Sequence, residues 1–366
     1  MHNIEFNLRF GEYRVWIGKT LRLRTGSKIE AIESVQNFGG HITWHFNDEI
    51  LSCYDWQKIV TEDIADLYHR RAQQIRDQYN KVVIMYSGGF DSHNILMSFL
   101  ENGIKIDAIC FFYNSLSQGP DDYIMVEWHA QTWPKLQRLQ QLYPWLEVVR
   151  MDTSYSTMSL FDKHWDDWLY LGKGMINPST IGLSHLHTLL PSHLQSDNTC
   201  LLFGVDKPRV RFVNNEFRFF FLDTCFRPPV CPDSGIEYFY WSPNLPELLI
   251  KQAQITKQFW LQHSDLIATH KKNKANPKLG VLLDHQYDPL QRRIYPYCKD
   301  GTYLSWQPKD KLLLERDQWL VNSNTEYAIK IQSLVDSYVS KIRPEWFNQR
   351  DPRRGLVSYL AGDYLL

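Results

Sequence analysis

A six-residue loop rich in glycine and serine, Ser87 to Ser92, separates an apolar run from a segment with helical periodicity. Residues 81–86, just before the loop, form a continuous apolar run that is typical of a strand buried in a parallel sheet. Residues 93–100 have a helical pattern that ends at Asn102-Gly103, and residues 106–113 form a second apolar run. Strand, loop, helix and strand within about 35 residues predict a right-handed βαβ unit.

The chain continues this alternation on both sides of the unit. A helix is predicted before the loop over residues 59–79 and another over 123–143, with further strands over 146–151 and 199–203. Such alternation predicts an α/β fold, a Rossmann-like parallel sheet with helices on both faces. We expect this domain at residues 55–245, after a small β-rich N-terminal region (1–54) and before a mainly helical C-terminal region (246–366).

The composition is that of a globular protein and argues against several other classes. Of 366 residues, 43% are hydrophobic and 22% are charged, and 40 basic side chains nearly balance 41 acidic ones. The near-zero net charge does not favour nucleic acid as a partner, although a local basic face stays open. No run approaches the ~18 apolar residues of a membrane span. Few cysteines and no apolar stretch at the N-terminus predict a cytoplasmic protein without a membrane partner.

The loop has the chemistry of an anion site. The N-terminus of the following helix offers unpaired backbone N–H groups and the positive end of the helix dipole. Gly88 and Gly89 let those amides approach an anion closely, and Ser87 and Ser92 add hydroxyl donors, so a phosphate or pyrophosphate is expected. Asp91 would repel such a guest unless it held a divalent cation such as Mg²⁺. The alternative is an ordinary turn in which Asp91 caps the helix.

Residues 83–92, VIMYSGGFDS, resemble the PP-loop of the N-type ATP pyrophosphatase superfamily, whose adenine nucleotide alpha-hydrolase-like (HUP-type) members include asparagine synthetase and 7-cyano-7-deazaguanine synthase. The resemblance covers residues 55–206 and implies that the loop binds the β- and γ-phosphates of ATP. It implies that Ser87, Gly88, Gly89 and Ser92 bind pyrophosphate and that Asp91 is a Mg²⁺ ligand. It further implies that Phe112 and Tyr113 contact adenine.

The resemblance also implies a reaction. An ATP-dependent synthetase of this type adenylates a carboxylate or amide oxygen, and an amine or ammonia then displaces AMP. The glutamine-dependent relatives carry Cys at the position of His2, so we expect a separate nitrogen donor here. The acceptor could be a small molecule, a modified nucleobase or a peptide. Whether the protein forms a homodimer is also left open. The alternatives are a sulfur-transfer or phosphoadenylyl-sulfate reductase-like enzyme and an ATP-binding module without turnover.

A second charged segment follows the strand predicted at residues 199–203. Asp206 is a candidate for a second Mg²⁺ ligand, and Lys207 and Arg209 are candidate catalytic cations that neutralise charge on the leaving pyrophosphate. The alternative is a solvated turn.

A hairpin is predicted close by, around Asn214-Asn215, because two Asn residues tolerate the left-handed backbone of a type I′ turn. This hairpin would place Arg211 opposite Arg218. Such a pair needs an anion or carboxylate between the two guanidinium groups, or exposure to water.

Overall fold

A computed structural model of the chain describes residues 11–117, 125, 128–165, 170, 186–204, 209–223, 235–267, 281–283, 288–298, 318–352 and 355–366. The strands are β1 (Glu12–Ile17), β2 (Thr20–Thr25), β3 (His41–His45), β4 (Lys81–Met85), β5 (Ala108–Tyr113), β6 (Val148–Asp152), β7 (Thr199–Phe203), β8 (Arg209–Val213), β9 (Glu216–Leu222), β10 (Ile236–Tyr238), β11 (Val281–Leu283) and β12 (Leu360–Leu365).

The α-helices are α1 (Lys28–Phe38), α2 (Asp48–Leu51), α3 (Ile64–Gln78), α4 (Phe90–Leu100), α5 (Trp133–Leu142), α6 (Ser154–Lys163), α7 (Pro246–Gln262), α8 (Asp288–Ile294), α9 (Gln318–Ser323) and α10 (Thr325–Lys341). A π-helical turn, Trp128–Thr132, leads into α5. Short 3₁₀ turns lie at Leu186–Leu189, Ser192–Leu194, Pro344–Trp346 and Asn348–Arg350.

Five parallel strands in the order β10-β7-β4-β5-β6 form the central sheet, which helices flank. The α/β prediction is therefore confirmed. The apolar run before the loop is the middle strand, and Val82, Val83 and Ile84 in it are completely buried. Because the chain runs from β4 to β5 and β6 on one side and to β7 and β10 on the other, the strand order reverses at β4. A crevice is expected at such a reversal, beyond the carboxyl ends of the strands.

The helix before the loop is shorter than its periodicity predicts. It begins at Ile64, where the Asp63 side chain caps it by accepting a hydrogen bond from the N–H of Ala65 at 3.2 Å. Ile59 precedes the helix and is 79% exposed, so its inclusion in the helical pattern is wrong. Apolar spacing alone does not distinguish an exposed isoleucine in a loop from one on a buried helix face.

The β-rich N-terminal region forms an antiparallel sheet of order β2-β1-β3, and it also contains the helix α1. Within the C-terminal region, helices alternate with β11 and β12. These two strands flank the β8–β9 hairpin in a four-stranded antiparallel sheet, so the expectation of a mainly helical end is only partly right. Short strands that pair with distant partners carry little local signal.

The hairpin prediction is confirmed, including its register. Asn214 and Asn215 both have positive φ, 51° and 63°, and Arg211 lies opposite Arg218. The carboxylate of Asp363 sits between the two guanidinium groups, at 2.6 Å from Arg211 and 3.3 Å from Arg218. The chain therefore supplies its own counter-ion from β12, and this face is not a site left for an acidic substrate.

A buried ion pair joins three distant parts of the chain. Lys28, at the start of α1, and Asp223, just after β9, are both fully buried and lie 2.6 Å apart. Tyr13 donates its hydroxyl to the same carboxylate at 2.7 Å, and the N–H of Tyr359 donates at 3.0 Å. Lys28 also donates to the carbonyl of Val357 at 2.8 Å. The pair thus ties the N-terminal region to the end of the hairpin and to the last strand.

In the part of the chain that the structure describes, no helix combines the length and the apolar character needed to cross a membrane.

We expect Lys28→Met to lower the free energy of unfolding by about 3–5 kcal/mol, because it leaves a buried carboxylate without its cation. The matched control is Arg24→Met. Arg24 is about half exposed and pairs with Glu12, which Arg14 also neutralises, so its loss should cost under about 1 kcal/mol. Urea denaturation of both variants measures the difference, and equal losses would contradict a structural role for the buried pair.

Candidate active site

The predicted loop lies between the end of β4 and the start of α4. Gly88 has φ of 74°, a conformation that glycine adopts without strain, and Gly89 is the N-cap of α4. The hydroxyl of Ser92 accepts a hydrogen bond from the N–H of Ser87 at 3.1 Å and lies 3.2 Å from the Ser87 hydroxyl. The loop therefore folds into a tight turn that brings both serine hydroxyls together at the N-terminus of the helix.

Two side chains at the start of α5 hold the carbonyl groups of this loop: Thr132 is the N-cap of the helix, and Lys135 lies in its first turn. Thr132 donates its hydroxyl to the carbonyl of Ser87 at 2.7 Å, and the ammonium of Lys135 donates to the carbonyl of Gly88. In a planar trans peptide, the N–H points away from the preceding carbonyl. The amides of Gly88 and Gly89 therefore point away from Thr132 and Lys135, and they remain candidates for binding an anion.

Asp91, in the first turn of α4, is half-buried among tyrosines. The hydroxyl of Tyr240 donates to the backbone carbonyl of Asp91 at 2.7 Å. The ring of Tyr240 packs against those of Tyr68 and Tyr295, with ring centres 5.7 Å apart in each pair. Burial and the negative charge of Asp91 raise the pKa of Tyr295, so its phenol stays protonated beside the carboxylate. Gly204, directly after β7, packs closely against Asp91. A Cβ at position 204 would lie 3.2 Å from the Asp91 Cβ, so a side chain there would crowd the carboxylate.

The segment that follows α8 contacts α4, the helix that carries Asp91. The side chain of Asn94, fully buried on α4, donates to the Tyr240 hydroxyl at 3.3 Å and accepts from the N–H of Tyr297 at 3.4 Å. The thiol of Cys298 donates to the carbonyl of Phe90 at 3.4 Å. The sequence patterns did not single out these residues, nor Thr132 and Lys135. The available signal was the polar Asn94 within an apolar helical run.

The predicted adenine contacts lie at the end of the neighbouring strand. Phe112 and Tyr113 are half-buried at the carboxyl end of β5, and Asn114 follows them. The carbonyl oxygen of the Asn114 side chain accepts hydrogen bonds from the Ser154 hydroxyl and the Leu116 N–H, at 2.9 and 3.0 Å. Its buried amide nitrogen, which carries two N–H donors, has no hydrogen-bond partner among the described residues.

The second charged segment is only partly described. Asp206 and Lys207 lie outside the described residues. Arg209 begins β8, opposite Phe220, so it belongs to the antiparallel sheet and not to the parallel sheet that carries the loop. No group of three His, Cys, Asp or Glu side chains is placed to hold a metal ion in the described ranges. A Mg²⁺ ion bound through one carboxylate and substrate phosphates fits Asp91 and the loop, since Mg²⁺ often binds in this way.

Comparisons of this chain with protein-family models, with curated proteins and with solved structures gave no match.

Lys135→Met should weaken the binding of inorganic pyrophosphate by about tenfold, because the loop loses a charge-assisted hydrogen bond that orients its amides. Lys105→Met is the matched control. Lys105 is 75% exposed and precedes β5, so it lies at the amino ends of the parallel strands, away from the loop at their carboxyl ends. Calorimetric titration with magnesium pyrophosphate measures both variants. Unchanged binding by Lys135→Met would contradict the role of this lysine in positioning the loop.

Proposed function

We propose that this protein is an ATP-dependent synthetase of the PP-loop ATP pyrophosphatase type. It adenylates an oxygen of an acceptor, in the first instance a carboxylate, and releases pyrophosphate. An amine or ammonia then displaces AMP. The observation that carries the proposal is the loop from Ser87 to Ser92, in which two glycines and two neighbouring serine hydroxyls lie at a helix N-terminus.

The position of this loop supports nucleotide chemistry over a plain turn. It lies at the reversal of strand order, where open parallel sheets bind their ligands. A turn that only linked β4 to α4 would not need Thr132 and Lys135 to hold its carbonyls. A bound triphosphate would accept hydrogen bonds from the loop amides and from the exposed Ser87 hydroxyl.

The proposed reaction has two steps. The acceptor oxygen attacks the α-phosphorus, the bond from that phosphorus to the bridging oxygen breaks, and pyrophosphate leaves with the electron pair. Gly88, Gly89, Ser87 and Ser92 would stabilise the charge that develops on pyrophosphate. A Mg²⁺ ion held by Asp91 would neutralise part of the same charge. The amine nitrogen then attacks the acyl carbon, the bond to AMP breaks, and the amine loses a proton.

The described thiols favour nitrogen over sulfur chemistry. Cys110, Cys200 and Cys298 are buried, and burial raises the pKa of Cys110 to about 12. A thiol with such a pKa is almost entirely protonated at neutral pH and is therefore a poor nucleophile. Cys53 is exposed, but it lies after α2, in the N-terminal part of the chain, and donates to a carbonyl of its own helix.

The nucleotide products test this proposal. With Mg-ATP and a mixture of candidate acceptors, we expect AMP and pyrophosphate in equal amounts, and removal of Mg²⁺ with a chelator should stop their formation. Chromatographic separation of the nucleotides makes the measurement. Formation of ADP and phosphate would contradict adenylation, whereas binding of ATP without any product would favour the ATP-binding module.

Asp91→Asn should lower the rate of AMP formation by at least about hundredfold, the usual cost of losing one electrostatic group at a reacting phosphate. The fold should remain, because the side chains have the same shape. Asp107→Asn is the control: Asp107 precedes β5, at the amino edge of the sheet, where it pairs with Arg76 at 2.8 Å. Its loss should cost about 1–3 kcal/mol of stability without affecting the rate. An active Asp91→Asn enzyme would remove Asp91 from the metal site.

A further inference from the structure

An arginine on the edge strand of the parallel sheet is held by aromatic rings. Arg150, on β6, projects an exposed guanidinium group whose central carbon lies 5.2 Å from the ring centre of Trp133 and 5.8 Å from those of Tyr113 and Trp128. Trp128 in turn stacks on Phe111, with the ring centres 4.0 Å apart. We call Arg150 with Tyr113, Trp128 and Trp133 the Arg150 cage.

Among the described residues no carboxylate pairs with Arg150, in contrast to three arginines that are more buried. Arg71, Arg76 and Arg211 each lie 2.6–3.1 Å from an acidic side chain. Among the residues that the structure describes, Arg150 has neither an ion pair nor a hydrogen bond, only its ring contacts. The rings restrict the guanidinium without using its N–H donors, so these donors are ordered in advance for a ligand. A planar fork of donors is the group that binds a carboxylate at two points.

The register of the sheet places the cage near the candidate active site. The N–H of Tyr86 bonds to the carbonyl of Cys110 at 2.7 Å, and Phe111 pairs with Arg150. Tyr86 and Arg150 therefore lie at almost the same height along the strand direction, two strands apart. This places their Cα atoms roughly 10 Å from each other. Loop and cage also share one turn of chain, because Trp128 and Trp133 flank the Thr132 that holds the Ser87 carbonyl.

We propose that the Arg150 cage binds a carboxylate group of the acceptor. This carboxylate is not the one that reacts, because pairing with a guanidinium would reduce the nucleophilicity of its oxygens. The acceptor would therefore be a small organic acid or amino acid with a second acidic group, which the cage holds while the first approaches the loop. The description of the ligand as the acceptor rests on the proposed function, but the carboxylate site itself does not.

Direct binding without ATP tests the site. The probes are succinate and benzoate, each paired with its uncharged amide, succinamide or benzamide, in calorimetric titrations of the full chain. We expect the wild-type protein to prefer at least one acid over its amide by about tenfold or more. Arg150→Gln should abolish the preference, and Arg150→Lys, which keeps the charge and the stem, should retain part of it. Thermal melting of each variant checks that the fold is intact.

Arg22→Gln is the matched control, because Arg22 is an exposed arginine that lies 4.8 Å from the ring centre of Phe38 on the N-terminal sheet. It should keep the full preference for acids. The proposal is overturned if no acid is preferred over its amide, if Arg150→Gln retains the preference, or if Arg22→Gln loses it equally. A preference that Arg150→Gln abolishes would stand even in a protein that forms no AMP, so failure of the proposed function remains distinguishable.

A second arm separates the cage from the nucleotide site. Binding of a non-hydrolysable ATP analogue should be the same in Arg150→Gln and the wild type, because the loop takes the phosphates. A loss of analogue binding with unchanged carboxylate binding would assign the cage to the nucleotide and overturn the proposal.

Discussion

The first turn of α4 leaves backbone N–H groups without partners inside the helix, and the rest of the candidate site is arranged around them. Because α4 follows the middle strand of the sheet, these groups lie where the strand order reverses, and a ligand crevice is expected there. Thr132 and Lys135 hold the loop from one side by its carbonyls, and the amides are left facing the other side. The position of the loop thus depends on the parallel sheet, and its carbonyls are held by the start of α5.

The environment of Asp91 links the loop to the C-terminal part of the chain. Tyr295 lies beside the carboxylate, Tyr240 bonds to the Asp91 backbone, and Tyr297 and Cys298 hold neighbouring turns of α4. A protonated phenol is a polar neighbour that adds no charge beside the carboxylate. A segment about two hundred residues away in the chain therefore forms part of the electrostatic surroundings of Asp91, for which we propose a role in metal binding.

The two arginines of the hairpin separate what the local sequence predicts from what only the tertiary structure shows. The pair Asn214-Asn215 specifies a turn with positive φ, and the turn length specifies that Arg211 faces Arg218. From this register alone, either a negative group between the two arginines or their exposure to water follows, because like charges at this distance repel. Its identity as Asp363 does not follow, since Asp363 is about 150 residues further along the chain and reaches the hairpin only through the pairing of β12 with β9.

The sequence by itself determined the βαβ unit, the loop between β4 and α4, and the hairpin register, because each depends on residues that are close in the chain and on periodicities of burial. Only the tertiary structure decided which distant side chains meet: Lys28 with Asp223, Tyr295 with Asp91, Lys135 with Gly88, and Arg150 with its three rings. Such meetings depend on strand order and on how loops return to the sheet. A polar or aromatic residue carries the same local signal whether it ends at the surface or beside the loop.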